Sequence, residues 1–167
     1  MENVKNACRG HLFALPKVFT KTLDKANRKI YNKTGVKTMR TIWCIHAGEY
    51  QISEHFKANE FRCKDGSDEI LICKELLEIL EEVRNHFNAP VNVRGHSGYR
   101  TPKWNEKVNG AKNSYHCKGM AADFHVKGHT TKEVAEYLNK IMTTGGIIRY
   151  TNFVHVDVRE YRYRKGM

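Results

Sequence analysis

No apolar run in this chain approaches the roughly 20 residues of a membrane-spanning helix, so no transmembrane segment is predicted. The apolar stretch near the start, Leu12-Phe13-Ala14-Leu15, is too short for the core of a secretory signal. No small-residue cleavage site follows it. The expectation is a chain made in the cytoplasm without a signal peptide. None of the five cysteines (Cys8, Cys44, Cys63, Cys73 and Cys117) forms a C-x-x-C pair, which argues against a thiolate zinc cluster. Cys63 and Cys73 could pair in an oxidising compartment; reduced, partly buried thiols are the expectation. Internal repeats and low-complexity tracts are also missing. Acidic residues are scarce at the N-terminus: residues 1–42 hold two Asp/Glu against ten Lys/Arg, a net of +8, whereas residues 43–167 hold sixteen against nineteen, a net of +3.

What is present is enough for one domain with a core: 167 residues, 40% of them apolar. The division expected is a basic, poorly ordered extension over 1–42 and a domain over 43–167. A basic extension could favour polyanions such as teichoic acid, anionic lipid or nucleic acid. Nucleic acid is the weakest of these, because the domain is close to charge balance. Residues 1–38 carry no motif, and Met39 opens a stretch that reads smoothly into the domain.

Arg40 to His46 is rich in β-branched and aromatic residues and predicts a first strand. Ser53 to Phe61 reads as a helical turn and loop. Gly66 to Glu69 reads as a turn that caps the next helix. Leu76, Leu77, Ile79, Leu80, Val83 and Phe87 have the spacing of a core-facing amphipathic helix, ended by Asn88-Ala89-Pro90. Val91 to Val93 starts a strand, and Gly95 to Arg100 is a loop. Thr101-Pro102 supplies an N-cap and an N1 proline for a short helix through Val108. Met120 to Val126 alternates as a strand does. Thr130 or Thr131 caps a helix containing Val134, Ala135, Leu138 and Ile141. Gly145-Gly146 turns into Ile147 to Tyr150, and Phe153 to Val158 is read as the last strand. The fold class expected is α+β, a small antiparallel sheet flanked by helices.

The densest chemistry lies in Ser114-Tyr115-His116-Cys117-Lys118-Gly119-Met120-Ala121-Ala122-Asp123 and in Phe153-Val154-His155-Val156-Asp157-Val158. Residues two apart on a strand share a face, so His155 and Asp157 point the same way. Pairing the two strands could gather His116, Asp123 and His155 around one ion. Two imidazoles and a carboxylate are donors that zinc accepts, and a catalytic zinc keeps three protein ligands and an open position. Gly119 and Ala121 would leave room for the ion. The remaining histidines His11, His46, His55, His86 and His129 are read as surface or hydrogen-bonded residues. His125 could share the face of Asp123.

These segments carry a resemblance. S-x-H-x-x-G-x-A-x-D followed by a late H-x-D strand resembles the zinc D-Ala-D-Ala carboxypeptidase family. That family belongs to the group uniting lysostaphin-type, VanX-type and hedgehog-type domains, and the likeness is closest to its phage- and bacterial-type peptidase domains. Phe61-Arg62-Cys63-Lys64-Asp65-Gly66, Ser97-Gly98-Tyr99-Arg100-Thr101-Pro102 and Gly145-Gly146 followed by Arg149-Tyr150 resemble further family segments, so the likeness covers about residues 50–160. It implies zinc held by His116, Asp123 and His155, with peptidoglycan stem peptides as substrate and a carboxypeptidase or an endolysin-type endopeptidase as the activity. It implies action at the cell wall, after phage-type release in the lysin case. Arg100 resembles the arginine that faces the scissile carbonyl, and Ser114 the serine that contacts substrate. Tyr99 and Tyr150 could line the cleft, with core packing as the alternative.

The chain also departs from the pattern. About two extra residues stand around Arg94-Gly95-His96, and Ile148 replaces a usual glycine. Where better-known relatives place an acidic base three residues before the last histidine, this chain has Asn152; where others use H-x-H, it has Phe153. Asp157 is then the candidate general base, with orientation of His155 or pairing with Arg159 as its alternative role. A zinc domain that binds cell wall without catalysis, as hedgehog-type domains retain the site, is the alternative function.

Overall fold

The computed structural model describes residues 41–93, 95 and 97–167. The extension over 1–40, and with it His11 and Cys8, lies outside the described residues, as do Arg94 and His96. Seven strands and three helices are described. A two-stranded antiparallel sheet joins β1 (Ile42–His46) to β2 (Glu69–Cys73). A five-stranded sheet contains β3 (Val91–Val93), β4 (Ala121–Val126), β5 (Gly146–Arg149), β6 (Val154–Asp157) and β7 (Tyr163–Lys165), in the order β3-β4-β6-β5-β7. All its pairings are antiparallel except β5 with β7. The class is α+β, as the sequence predicts.

Helices α1 (Lys74–Phe87) and α3 (Thr131–Ile141) cover one face of the larger sheet. Alternation decides which strand residues meet them. Ala122, Phe124 and Val126 of β4 and Val154 and Val156 of β6 are buried in the core with Ile147 of β5. From α1 the core takes Leu76, Leu77, Ile79, Leu80 and Val83; from α3, Val134, Ala135 and Leu138. Each buried Leu, Ile or Val among these contributes about 1.5–3 kcal/mol relative to exposure. The opposite face of β4 and β6 is thereby left to Asp123, His155 and Asp157.

Local signals set the helix ends. Asn88 closes α1 in the left-handed region at φ 46°. Thr101 caps α2 (Pro102–Lys107), its Oγ1 accepting from Trp104 N at 3.1 Å. Thr130 caps α3 and shares a reciprocal capping box with Glu133.

Two strands depart from the sequence reading. Glu69 to Cys73, expected to lead from a turn into the helix, is β2. Cys73 is both its last residue and the N-cap of α1, so no turn residue separates strand from helix. Phe153 to Val158 is not the last strand, because β7 follows and pairs in parallel with β5. Cys63, Cys73 and Cys117 are free thiols, so Cys63 and Cys73 do not pair. Cys44 is disulfide-bonded, which departs from the expectation of reduced thiols. Among the described residues no helix is long and apolar enough to cross a membrane.

Candidate metal centre

Strand register builds the centre. Asp123 on β4 and His155 on β6 are direct partners across the antiparallel pair, and their side chains share the face away from the helices. His116 arrives from a single 3-10 turn, His116–Lys118, that ends in Gly119 at φ 67°. The Tyr99 to Gly119 region is pinned by two backbone bonds, Arg100 N to His116 O at 3.2 Å and Asp123 N to Ser97 O at 3.1 Å.

Three donor atoms converge. His155 Nδ1 lies 2.8 Å from Asp123 Oδ1, His116 Nε2 lies 3.2 Å from His155 Nδ1, and His116 Nε2 lies 3.4 Å from Asp123 Oδ1. A tetrahedral zinc with bonds of about 2.0–2.1 Å places its donors roughly 3.3 Å apart. The three separations bracket that value, so the residues fit the ion. No other group of three possible ligand residues is found among the described residues.

Each ligand is also held by its outward atom. His116 Nδ1 donates to the Gly98 carbonyl at 2.8 Å, which leaves Nε2 as the atom that could meet a metal. Gly98 must be bare for this, since a Cβ there would stand 2.7 Å from Phe61 Cδ1 and 2.8 Å from its Cα. Asp123 Oδ2 accepts from Arg100 Nη2 at 3.1 Å, turning Oδ1 inward. His155 Nε2 donates to Asp157 Oδ2 at 3.1 Å, freeing Nδ1. Burial raises the pKa of Asp123, but its bonds to His116 and His155 outweigh burial and hold the carboxyl below the usual range. Burial likewise pulls His155 down, and the carboxylates of Asp123 and Asp157 more than offset it, leaving the imidazole above its ordinary value.

Asp157 is where the geometry weighs most against the base assignment. It is fully buried. Arg159 grips both of its oxygens, Nε to Oδ1 at 2.7 Å and Nη2 to Oδ2 at 2.6 Å, and Arg159 N adds a bond to Oδ1 at 3.1 Å. Burial raises its pKa, and the bonds from Arg159 and His155 overcome this and hold it below the usual carboxylate range. A carboxylate so saturated is a weak proton acceptor. It also meets the ring nitrogen of His155 that faces away from the donor cluster. The alternative role, orienting His155, is the one these contacts describe.

The other expected site residues have plain environments. Ser114 is buried and its hydroxyl meets the Cys117 thiol. Tyr99 packs against the core, and its N donates to Phe61 O at 2.9 Å; burial raises its pKa. Tyr150 is exposed and stacks on Phe153 at 4.4 Å, across the β5–β6 turn that contains Asn152. Burial raises the pKa of Cys117 beside His116, so it is no activated thiolate. His46, His55 and His125 pair with Asp68, Glu81 and Asn92, and His86 stacks on Tyr137. The room that Gly119 leaves is toward β2. A Cβ there would overlap the Leu71 carbonyl and stand 2.8 Å from Ile72 N, so this glycine lets the His116 turn press against β2.

The sequence reading named Asp157 as a support of His155 and Arg159 as its partner. It missed the Gly98 carbonyl behind His116, a backbone atom that no side-chain pattern marks, and the bond from Arg100 to Asp123.

Three protein donors with a fourth position left over is the donor count of catalytic zinc sites, whereas structural sites close all four. Fold and donor set thus define an α+β protein with three clustered side chains, His116, Asp123 and His155, that could hold one metal ion. Residues 52–157 match the peptidase M15 family, and the chain belongs to that family. It is similar to the peptidoglycan L,D-endopeptidase MepK of Escherichia coli strain K12, 36% identical over 74 residues that make up 40% of each chain. It is also similar to the probable peptidoglycan L,D-endopeptidase MepK of Haemophilus influenzae, 36% identical over 86 residues, 48% of this chain and 45% of that one. The matches span less than half the length of these relatives. No solved structure matches the chain.

Proposed function

We propose that this chain is a zinc peptidase that cuts the stem peptides of peptidoglycan as an endopeptidase, acting at the cell wall. The observation that carries the metal is the spacing of His116 Nε2, Asp123 Oδ1 and His155 Nδ1, 2.8 to 3.4 Å apart with every outward atom held. Family membership supports the peptidase reading. The names of the two relatives support peptidoglycan as substrate and favour an endopeptidase over a carboxypeptidase.

Zinc bound here would supply Lewis acidity, acidifying water to a pKa of about 7 and polarising a peptide carbonyl. The chain's own part is preorganisation. With zinc bound, His116 Nε2 and His155 Nδ1 would be its donor nitrogens, and Asp123 would add one negative charge. Arg100 holds the outer oxygen of Asp123 with its side chain about one-fifth exposed, so its guanidinium can meet the carbonyl oxygen as charge develops there. The basic extension would retain the enzyme on anionic wall polymers.

One observation favours a second reading, a zinc domain that binds wall without cutting it. The position of the usual acidic base is Asn152, and Asp157 is tied to Arg159. Digestion of purified muropeptides with zinc-loaded protein separates the two. New peptide termini by mass spectrometry, lost with chelator and restored by zinc, are expected. Intact muropeptides with zinc fully bound would refute the peptidase reading.

A further inference from the structure

We propose that Arg159 is a positioning residue of the metal centre. It locks Asp157 so that Asp157 fixes the His155 ring with Nδ1 toward the ion, and Gly146 is bare to make room for that lock. This rests on the zinc reading above.

The contacts form a chain of support running outward from the ligand. His155 Nε2 donates to Asp157 Oδ2. A lone carboxylate could turn about its Cβ–Cγ bond and let the imidazole follow. Here the planar fork of Arg159 meets both oxygens at 2.6 and 2.7 Å, a bidentate geometry that fixes the carboxylate plane. Arg159 is fixed in turn. Its guanidinium lies over the rings of Tyr115, Tyr161 and Tyr163 at 4.7, 5.2 and 4.6 Å, and Nη1 donates to Tyr161 Oη at 3.3 Å. Cation–π contacts of this kind hold a guanidinium in place without competing for its donors.

Tertiary structure puts these parts together from separate elements. Tyr115 precedes the ligand His116, and Tyr163 belongs to β7, whose residue partner on β5 is Gly146. Gly146 is also the partner of Asp157. A Cβ on Gly146 would overlap Asp157 Oδ2 and stand 2.8 Å from Arg159 Nε. The second glycine of the Gly145-Gly146 turn is therefore a space for the ion pair. Outer partners of metal ligands typically change metal affinity by about 10–100-fold when removed.

The test uses the full chain carrying Arg159→Ala, Arg159→Lys or Gly146→Ala, each alone and combined with Asp157→Asn. Zinc affinity is read by competition with a chromophoric chelator, and the visible spectrum of the cobalt(II) form reports ligand geometry. Thermal melts of the metal-free proteins establish folding. Arg159→Ala should weaken zinc by about 10–100-fold and alter the cobalt spectrum. Arg159→Lys, which keeps charge but loses the fork, should recover part of the loss, and Gly146→Ala should act in the same direction. Because Arg159 works through Asp157, adding its substitution to Asp157→Asn should cost little more. If Arg159→Ala does not fold, the lysine and Gly146 variants decide. A folded Arg159 variant with wild-type affinity and spectrum would overturn the proposal, as would an undiminished loss in the Asp157→Asn background. A wild-type chain that binds no zinc would overturn the zinc reading itself, and this inference with it.

Discussion

Replacing Gly119 by alanine should cost the domain far more than the loss of two hydrogens suggests. Two effects combine. The residue sits at φ 67°, where an L-residue with a Cβ is strained by about 1–2 kcal/mol. Its Cβ would also be driven into the backbone of β2 at Leu71 and Ile72, and backbone in a paired strand does not yield as a flexible side chain does. Overpacking of this kind costs about 1–3 kcal/mol. Together they give about 2–5 kcal/mol. Gly128 supplies the control, at φ 81° with nothing within 4 Å of the added Cβ. Gly128→Ala should therefore show the backbone part alone, about 1–2 kcal/mol. For a domain of this size, thermal melts of the metal-free proteins should fall by roughly 5 °C for Gly128→Ala and roughly 10–20 °C for Gly119→Ala. Zinc affinity should separate them too. Gly119 N donates to His116 O at 3.1 Å, so a shifted Gly119 moves the ligand turn, whereas Gly128 touches no part of the centre. Equal losses for the two variants would refute the close approach of the His116 turn to β2.

Four further outcomes are expected. His116→Ala should lose most of a near-stoichiometric zinc content by elemental analysis, and unchanged zinc would remove His116 from the ligand set. Arg100→Ala should stay folded and lose about 10²–10³-fold in turnover on a soluble muropeptide, the scale of removing one oxyanion donor; normal turnover would exclude that role. His155 holds its proton above the ordinary value in the metal-free protein, because Asp123 and Asp157 outweigh its burial, and imidazole must be neutral to bind. Zinc affinity should therefore be greatest above that raised pKa and fall as pH drops through it, with proton release seen by calorimetry in buffers of different ionisation enthalpy; affinity equal at pH 8 and pH 5.5 would contradict it. A chain beginning at Met39 should fold, bind zinc and keep its turnover, with only salt-sensitive wall binding reduced; loss of zinc on truncation would make the extension part of the domain.

Much of this molecule was legible in one dimension, because the signals concerned are local. The 3.6-residue spacing of Leu76, Leu77, Leu80 and Val83 declares α1, since a helix buries one stripe whatever lies opposite. Thr101-Pro102 and Thr130 with Glu133 declare their helices because a cap is satisfied within its own first turn. The strands that escaped lack such punctuation. β2 runs directly into α1 through Cys73, and β7 exists through its pairing with β5, some fifteen residues earlier, while two of its three residues are exposed and two are charged.

The centre divides in the same way. Residue types and spacing, together with the family resemblance, singled out His116, Asp123 and His155 as one candidate cluster, since a metal site needs particular donor atoms and those are written into the chain. Which atoms of the three side chains converge was decided only by tertiary structure. The Gly98 carbonyl behind His116, Arg100 behind Asp123 and the Tyr115 and Tyr163 rings against Arg159 come from segments that meet only in the fold. The surroundings of Asp157 and Gly119 belong to the same level. Asp157, read as a base or as a support of His155 paired with Arg159, has both oxygens held by that guanidinium. Gly119, read as space for an ion, also leaves room for the β2 backbone at Leu71 and Ile72. Donor identity is a property of single residues, whereas orientation, burial and hydrogen-bond saturation are properties of neighbours, and neighbours are set by the fold.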